Sequence, residues 1–452
     1  MKFNEKEIVS ATEAEVLKKS DEEREFGIST DTRTINKGEI YLPLKGENFD
    51  GEKFISQAVE KGAAGYFTTG GEVLENAAAI YKVDDTLTAY LSLARFIRRK
   101  YNPKTVAITG SSGKTTTKEM VYSVLSRKFK THKTLSNHNN EIGLCQTILG
   151  MEEDTECLIV EMGMRGLGEI ELLSKYSEPD IAIITNAGSA HLGRLGSLDN
   201  IAKAKSEIVK SLNPSGSLIA NSNPRLKTFT SGYSGEKIWF TIADVKIPEQ
   251  KRGYSRYLYK GREYELNVEG SYNIENSLAA IEAGFKLGMS YEEIREGLLT
   301  YHPIEKRWEA EKIGGFSVIN DSYNANPESM KASVSTFLEL YNNPVVILGN
   351  MGELGGQEEE LHRESGKYLA EKIRTLKIPD ESVKFLTVGH LAEKIGKSLE
   401  DGGIFVKNFE NNTSAARFII DNIPAGSTIF LKASRAMKFE EIIEYLRENN
   451  RS

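Results

Sequence analysis

Residues 106–120 read VAITGSSGKTTTKEM: an apolar run meets a glycine-rich turn, a lysine and three threonines. That order suits the binding of phosphate. Gly110 and Gly113 let the backbone N–H groups of Ser111 and Ser112 close around anionic oxygens. The helical stretch that follows aims its N-terminal N–H groups and its dipole at the same point. Lys114 adds a positive charge, and the hydroxyl of Thr115 or Thr116 can ligate Mg²⁺. The widespread loop of this kind is G-x-x-x-x-G-K-[ST], and its first glycine falls where this chain has Ile108. The loop is therefore a shortened variant. An ordinary strand–turn–helix corner is the plain alternative, and the complete run of features weighs against it.

Other chemistry-bearing residues also follow apolar runs. Glu161 ends CLIVEM, where a carboxylate is costly unless it is paired or bound to a metal; a purely structural role competes evenly. His191, one of six histidines, stands in the glycine-rich AGSAHLGRLGS. A metal or phosphate contact there competes with an ordinary surface histidine. In IAKAKSEIVKSL, Lys203 and Lys205 lie beside Glu207 and read, on their own, as solvated lysines.

These residues need a scaffold. The chain has 452 residues, of which 39% are hydrophobic and 27% charged, and a net charge of −7. The length suggests several domains with sizeable cores, and the acidic balance argues against general nucleic-acid binding. Cys145 and Cys157 offer neither a disulfide framework nor metal-ligand spacing. The first twenty residues are acidic and helical in pattern, without an apolar core of signal-peptide type. No stretch approaches the ~20 apolar residues that span a bilayer. A cytoplasmic protein without membrane or nucleic-acid partners is expected.

Three blocks emerge from changes of texture. Residues 1–83 mix short strand-like pieces (EIYLPL, AGYFTT) with one helical stretch, EKFISQAVEKGA. Residues 84–309 open on an amphipathic helix ended by Asn102-Pro103 and continue through TVAIT, CLIVEM, DIAIIT and GSLIAN with helices between. Such runs predict a parallel sheet covered on both faces. Residues 310–452 repeat the pattern with FSVIND, PVVILGN, VKFLTVG and GSTIFLKA. Ligands of open α/β sheets bind beyond the carboxyl ends of the strands, so the residues there carry the functional expectation.

The assembled motifs resemble the Mur ligase family, the ATP-dependent amino-acid-adding enzymes of peptidoglycan synthesis. The shortened loop TGSSGKTT, the strand-end EMG, AGSAHL, AKAKSEI, GSYNIENSLAA, KRWE, INDSYNANPESM, VVILGNMGELG and LKASRAMKFE follow one another in the family's order, preceded by ISTDTRTINKGEIYLPLKGENFDG. The chain departs from the family's usual residues at Glu52 (often His), Asn350 (Asp) and Cys145 (Pro), and NSNPR stands where Asn-Ala-Asp-Asp is usual. The resemblance implies an α/β protein of three domains: a small α/β N-terminal uridine-binding domain, a central P-loop-type parallel-sheet ATPase domain and a C-terminal Rossmann-like domain. DTRTINKGEIYLPLKGENFDG, SNHNNEIG and the GELG of GNMGELG point to the branch that joins D-Ala-D-Ala to UDP-MurNAc-tripeptide through an acyl phosphate. A member adding a single amino acid, or a P-loop ATPase of another class, is the competing reading.

By the same resemblance, Lys114 and the loop 110–113 hold the phosphates of ATP. Thr115 or Thr116 with Glu161 holds one Mg²⁺, and His191 with a carbamylated Lys205 holds a second, Lys203 being the neighbour a misalignment would implicate. Asn273 and Asn276 grip adenine, while Arg307, Asp321, Tyr323, Asn324, Asn326 and Pro327 complete the nucleotide wall. Ser29, Thr30, Asp31, Thr32, Arg33, Lys45 and Asn48 contact the uridine diphosphate substrate, and Asn137, Asn139 and Asn140 its peptide end. A monomer is expected, with closure of the third domain, about hinges near residues 84 and 310, completing the site.

Overall fold

The computed structural model describes residues 1–20, 24–46, 48–71 and 73–449. In the central block, Glu236–Phe240, Ser217–Asn221, Ile181–Ile184, Lys104–Thr109, Cys157–Glu161 and Thr131–Lys133 lie side by side in that order. Neighbouring strands are parallel throughout. Side chains alternate between two cores: Val106, Ile108, Ile159 and Ile183 enter one, and Ala107, Leu158, Val160 and Ile184 the other. Burial of both faces is why these strands read as unbroken apolar runs.

The third block repeats the device. Its sheet runs Glu309–Ile313, Phe316–Asn320, Thr428–Lys432, Val345–Gly349, Lys384–Val388 and Val406–Phe409, parallel except for the first pair. The side chains of Ile319, Val346, Leu348 and Phe430 join the same cluster as the central domain's Val106 and Ile108. Trp308 sits at this join, with ring centroids 6.0 Å from Tyr272 and 5.2 Å from Phe430. The backbone there is twisted: Glu305, Lys306 and Trp308 have φ of 55°, 57° and 62°, a conformation bulky side chains adopt rarely.

The first block has a five-stranded sheet in the order Glu15–Lys18, Ala79–Lys82, Gly65–Thr68, Ile40–Tyr41 and Ile28–Ser29. The helical reading of the first twenty residues is corrected here. A helix spans Glu5–Thr12, Glu13 ends it at φ 55°, and Glu15–Lys18 turns back to pair antiparallel with Ala79–Lys82. EKFISQAVEKGA is a 3₁₀ turn, Gly51–Phe54, followed by the short helix Ile55–Glu60. The amphipathic helix is Thr86–Tyr101, capped by Asp85 and ended by Asn102 at φ 48° before Pro103. Its apolar residues, Leu91, Leu93, Ala94 and Ile97, share a core with Phe3 and Ile8 of the first block and Leu144 and Ile170 of the second. A three-stranded antiparallel sheet, Val245–Lys251, Tyr254–Tyr259 and Arg262–Leu266, follows the last central strand. No motif in the sequence had singled it out.

Candidate active site

Because the strands of each large sheet, Glu309–Ile313 apart, run parallel, their carboxyl ends lie along one edge. The two edges face each other across a cavity of about 980 Å³. It is lined by the central loop 111–116, Asn137, Asn139, Asn140, Glu161, His191, Asn273 and Asn276, and by Arg307, Asp321, Tyr323, Asn324 and Asn326 from beyond the join.

The phosphate-type loop is fixed by close approach. A Cβ on Gly110 would lie 1.8 Å from Thr185 Oγ1, and one on Gly113, at φ 77°, would lie 2.4 Å from Asn276 Oδ1. The Ser111 and Ser112 backbone N–H groups both donate to Asn186 Oδ1, at 3.1 and 3.0 Å. Lys114 opens the helix Lys114–Leu125, and its Nζ donates to Gly110 O at 2.9 Å. Burial pushes its ammonium below the ordinary lysine value, opposed by the nearby Glu161.

Glu161 is the hub. Its Oε2 accepts from Thr115 Oγ1 at 2.9 Å and its Oε1 from Asn139 Nδ2 at 3.0 Å. Lys118, fully buried one helical turn beyond Lys114, reaches within 3.7 Å of Oε2 and donates to Thr134 O at 2.9 Å. Thr115 Oγ1 in turn accepts from Arg307 Nη2 at 2.8 Å, and the Arg307 guanidinium lies 3.9 Å from the Tyr323 ring centroid. Between the two candidate threonines, the structure brings Thr115 to the carboxylate.

His191, at φ 67°, precedes the short helix Leu192–Leu195, and its Nδ1 is 2.5 Å from Glu353 Oε2 of the third domain. That imidazole holds the Glu353 carboxyl below its usual range. Further links cross the same boundary. Ser189 N and Oγ donate to Glu328, at 3.0 and 2.8 Å, and Gly193 N donates to Glu353 O at 3.1 Å. The loop bearing Glu353 is itself held from below. The Met351 N–H donates to Nε2 of the buried His362 at 2.9 Å, and His362 Nδ1 lies 2.6 Å from Glu358 O.

Lys205 lies on the helix Leu198–Ser206 with 1% of its surface exposed, so it does not line the cavity. Lys203, two positions earlier, is exposed. Burial drives the Lys205 amine well below the ordinary lysine value, and the Lys114 charge adds to that drop. The solvated reading of this lysine is thus corrected: helical spacing turns position 205 inward. Glu207 accepts backbone N–H bonds from Gly168 at 2.9 Å and so caps the earlier helix Glu169–Ser177.

Several expected contacts are already engaged. Asn140 caps the helix Glu141–Leu149 through Gly143 N, and Asn326 caps Pro327–Leu340. Asn273 Nδ2 donates to Glu269 O at 2.7 Å, and Asp321 pairs with the buried Lys432 at 2.8 Å. Ser29, Thr30, Asp31, Arg33, Lys45 and Asn48 do not line this cavity. They belong to the first block, where Asp31 binds the Arg33 guanidinium at 2.7 Å and that contact holds its carboxyl down at about 2. Of the departures, Asn350 Oδ1 accepts from Ala392 N at 2.8 Å, and Asn223 caps the helix Pro224–Phe229.

The expected site residues had left out Asn186 and His362, and also Lys118, Glu328, Glu353 and Lys432, which stand inside the quoted motifs without an assigned role. Asn186 stands just past Ile181–Ile184, where strand-end inspection would have found it. Lys118 carried a weaker signal, its i, i+4 spacing from Lys114.

Comparison with known proteins decides the lineage. Family models match three stretches: residues 26–101 ("Mur ligase family, catalytic domain"), 108–284 ("Mur ligase middle domain") and 306–435 ("Mur ligase, glutamate ligase domain"). The chain belongs to the Mur ligase family. This Mur ligase is 37% identical to the UDP-N-acetylmuramoyl-tripeptide–D-alanyl-D-alanine ligase of Bacillus subtilis (strain 168), over 94% of its own length and 93% of the relative's. Its fold matches a crystal structure of MurF from Acinetobacter baumannii with a TM-score of 0.89, at 30% identity and 99% coverage of both chains. It also matches MurF ligase from Thermotoga maritima in complex with ADP, with a TM-score of 0.83, 25% identity, and 94% and 98% coverage.

Proposed function

We propose that the protein is an ATP-dependent ligase that joins D-alanyl-D-alanine to UDP-N-acetylmuramoyl-tripeptide, giving the pentapeptide, ADP and phosphate. The observation that carries this reading is the convergence, in one cavity between two parallel-sheet edges, of the shortened loop, the Thr115–Glu161 pair and the Arg307–Tyr323 pair. The names of its full-length relatives supply the substrates.

A carboxylate is a poor electrophile. Transfer of the γ-phosphoryl group to a carboxylate oxygen makes it an acyl phosphate and releases ADP. The acceptor amine then attacks the carbonyl carbon, loses a proton, and phosphate leaves. Such a reaction needs positioning and charge neutralisation rather than a protein nucleophile. In this reading Lys114 and the loop amides hold the β- and γ-phosphates, and Arg307 reaches the same oxygens from the join. Asn273 and Asn276 face adenine, Asp321 the ribose, and Tyr323 and Asn326 the wall beside them. Ser29, Thr30, Asp31, Arg33, Lys45 and Asn48 meet the uridine diphosphate end, and Asn137, Asn139 and Asn140 the peptide.

The donor set suits Mg²⁺. Thr115 and Glu161 offer oxygens 2.9 Å apart. Among the described residues no group of three or more His, Cys, Asp or Glu forms a protein cage. Mg²⁺ accepts such sparse ligation because it keeps water and phosphate oxygens. Bound there, it would neutralise phosphate charge, with Thr115 and Glu161 on one ion and His191 and Lys205 on another. Lys205 fits as a carbamate: burial favours the neutral amine, which adds CO₂ with loss of a proton to give an anionic oxygen donor. With labelled bicarbonate the wild type should show a carbamate carbon signal that Lys205→Ala lacks, and a wild type without that signal would remove this role. The reading places the protein in the cytoplasm as a monomer.

Phosphate release with UDP-N-acetylmuramoyl-tripeptide tests the whole. Release should require an acceptor and favour D-alanyl-D-alanine over single amino acids. Release without any acceptor would make the protein an ATPase of another class, and preference for a single amino acid would move it to another branch.

A further inference from the structure

Lys118 has no task in the reaction described above. It stands on the helix Lys114–Leu125, is fully buried and does not line the cavity, so it touches neither nucleotide nor substrate. A buried ammonium is costly unless it is paired. Its Nζ donates to Thr134 O at 2.9 Å and lies 3.3 Å from Glu119 Oε1 and 3.7 Å from Glu161 Oε2. Thr134 also holds the second of these carboxylates in place, because its Oγ1 accepts from the Glu161 N–H at 3.0 Å. Ammonium and Glu161 thus share one anchor. Glu119 is divided between Lys118 and Lys133, so it offsets the buried charge only in part. On its cavity side, Glu161 Oε2 accepts from Thr115 at 2.9 Å.

We infer that Lys118 is a positioning residue that works through Glu161: it holds the carboxylate from behind and weakens its grip on a divalent cation, so that the cation binds firmly only together with nucleotide phosphates. That role rests on the ligase reading above, which places Mg²⁺ at Thr115 and Glu161. A cation on Glu161 Oε2 would stand close to the buried ammonium, and like charges so near in a water-poor interior repel strongly. Lys114 and Arg307 add two positive charges on the cavity side, the first bonded to Gly110 O and the second to Thr115 Oγ1. Against three cations, Glu161 offers too little negative charge to hold a bare divalent ion. Phosphate oxygens reverse that balance and supply the ligands that the protein lacks. Between turnovers Lys118 keeps Glu161 paired, and a cation that enters with the nucleotide leaves with it. A lysine that only stabilised the fold would leave cation affinity untouched.

The probe is Mn²⁺, whose binding is followed by electron paramagnetic resonance. The wild type should hold it weakly when free and tightly with ADP. Lys118→Met should tighten Mn²⁺ binding to the free protein by about 10-fold or more, the scale on which groups behind a metal ligand tune affinity. Adding Glu161→Gln to that variant should cancel the gain. Glu119→Gln leaves Glu161 as the carboxylate beside Lys118 and should act in the opposite direction, weakening Mn²⁺ binding with ADP and raising KM for Mg²⁺ in phosphate release. A folded Lys118→Met variant that binds Mn²⁺ like the wild type would overturn the assignment. So would a Glu119→Gln variant that leaves both measures unchanged, and this isosteric change decides the matter if Lys118→Met does not fold. Glu161→Gln alone holding Mn²⁺ with ADP as tightly as the wild type would overturn the metal placement beneath it. Failure of the ligase reading shows separately, as phosphate release that needs no acceptor.

Discussion

Glu161 and Asp31 are both carboxylates held by hydrogen bonds, and they are held in opposite ways. Glu161 is 4% exposed, and its oxygens are shared among Thr115, Asn139 and Lys118, which come from two separate segments of the chain. Asp31 is partly exposed, and its oxygens accept from the backbone and guanidinium of Arg33, two residues away. The first arrangement exists only once the central sheet has formed. The second is a turn that needs little beyond its own residues. Long-range satisfaction ties chemistry to folding, whereas local satisfaction leaves a segment free to change partners.

The widest gap between the two should appear on removing charge. Glu161→Gln should lower kcat by about 10²–10³, the scale of losing one electrostatic contact at a reacting group. It also removes one of the two carboxylates beside the buried Lys118, a loss of up to about 3–5 kcal/mol, to be read from denaturant unfolding. Asp31→Asn should leave the melting temperature unchanged. A small loss at Glu161 would mean that Lys118 is balanced by Glu119, which lies 3.3 Å from it.

Next comes a residue held like Glu161 but without contact to the cavity. His362→Leu deprives the Met351 N–H of its acceptor and should cost about 1–3 kcal/mol, with activity falling as the Glu353 loop loosens. The sign of the pH effect follows from burial, which lowers the His362 value from 6.5. Below pH 6.5 the unfolded chain takes up a proton that the folded one refuses. Wild-type stability should therefore fall as the pH drops below that value, and His362→Gln should flatten the slope. Melting curves between pH 5 and 7 check it.

A subtler test is Asn139→Ala, which frees Glu161 Oε1. About 1 kcal/mol of stability should go, with KM for Mg²⁺ moving more than KM for D-alanyl-D-alanine. The smallest effect belongs to the exposed turn: Arg33→Ala should shift stability by less than about 0.5 kcal/mol, and any change should appear only in KM for the UDP-linked substrate. A stability loss there as large as that of Asn139→Ala would erase the contrast.

The sequence disclosed the central site well because each element announces itself locally. Apolar runs buried on both faces mark parallel strands, and glycines mark the loop that follows. Residues after strands, such as Glu161 and His191, inherit their place from that rule. What stayed hidden depends on contacts between distant segments. Lys205 read as solvated because its burial comes from the fold around it. His362 sits mid-helix with no motif around it. Glu328 matters only once the third domain lies against the second, and Lys432 only once its strand lies beside Asp321. The N-terminal helix was overextended because the strand Glu15–Lys18 gains its pairing from residues more than sixty positions away.

Gly193 and Gly355 meet where those two domains touch. A Cβ on Gly193 would stand 2.6 Å from Gly355 N, and one on Gly355 equally close to Gly193 Cα. The seam works as a thickness gauge with no slack. A single added methyl is a shim that holds the jaw ajar, and a small molecule wedged there would do the same without touching the nucleotide pocket.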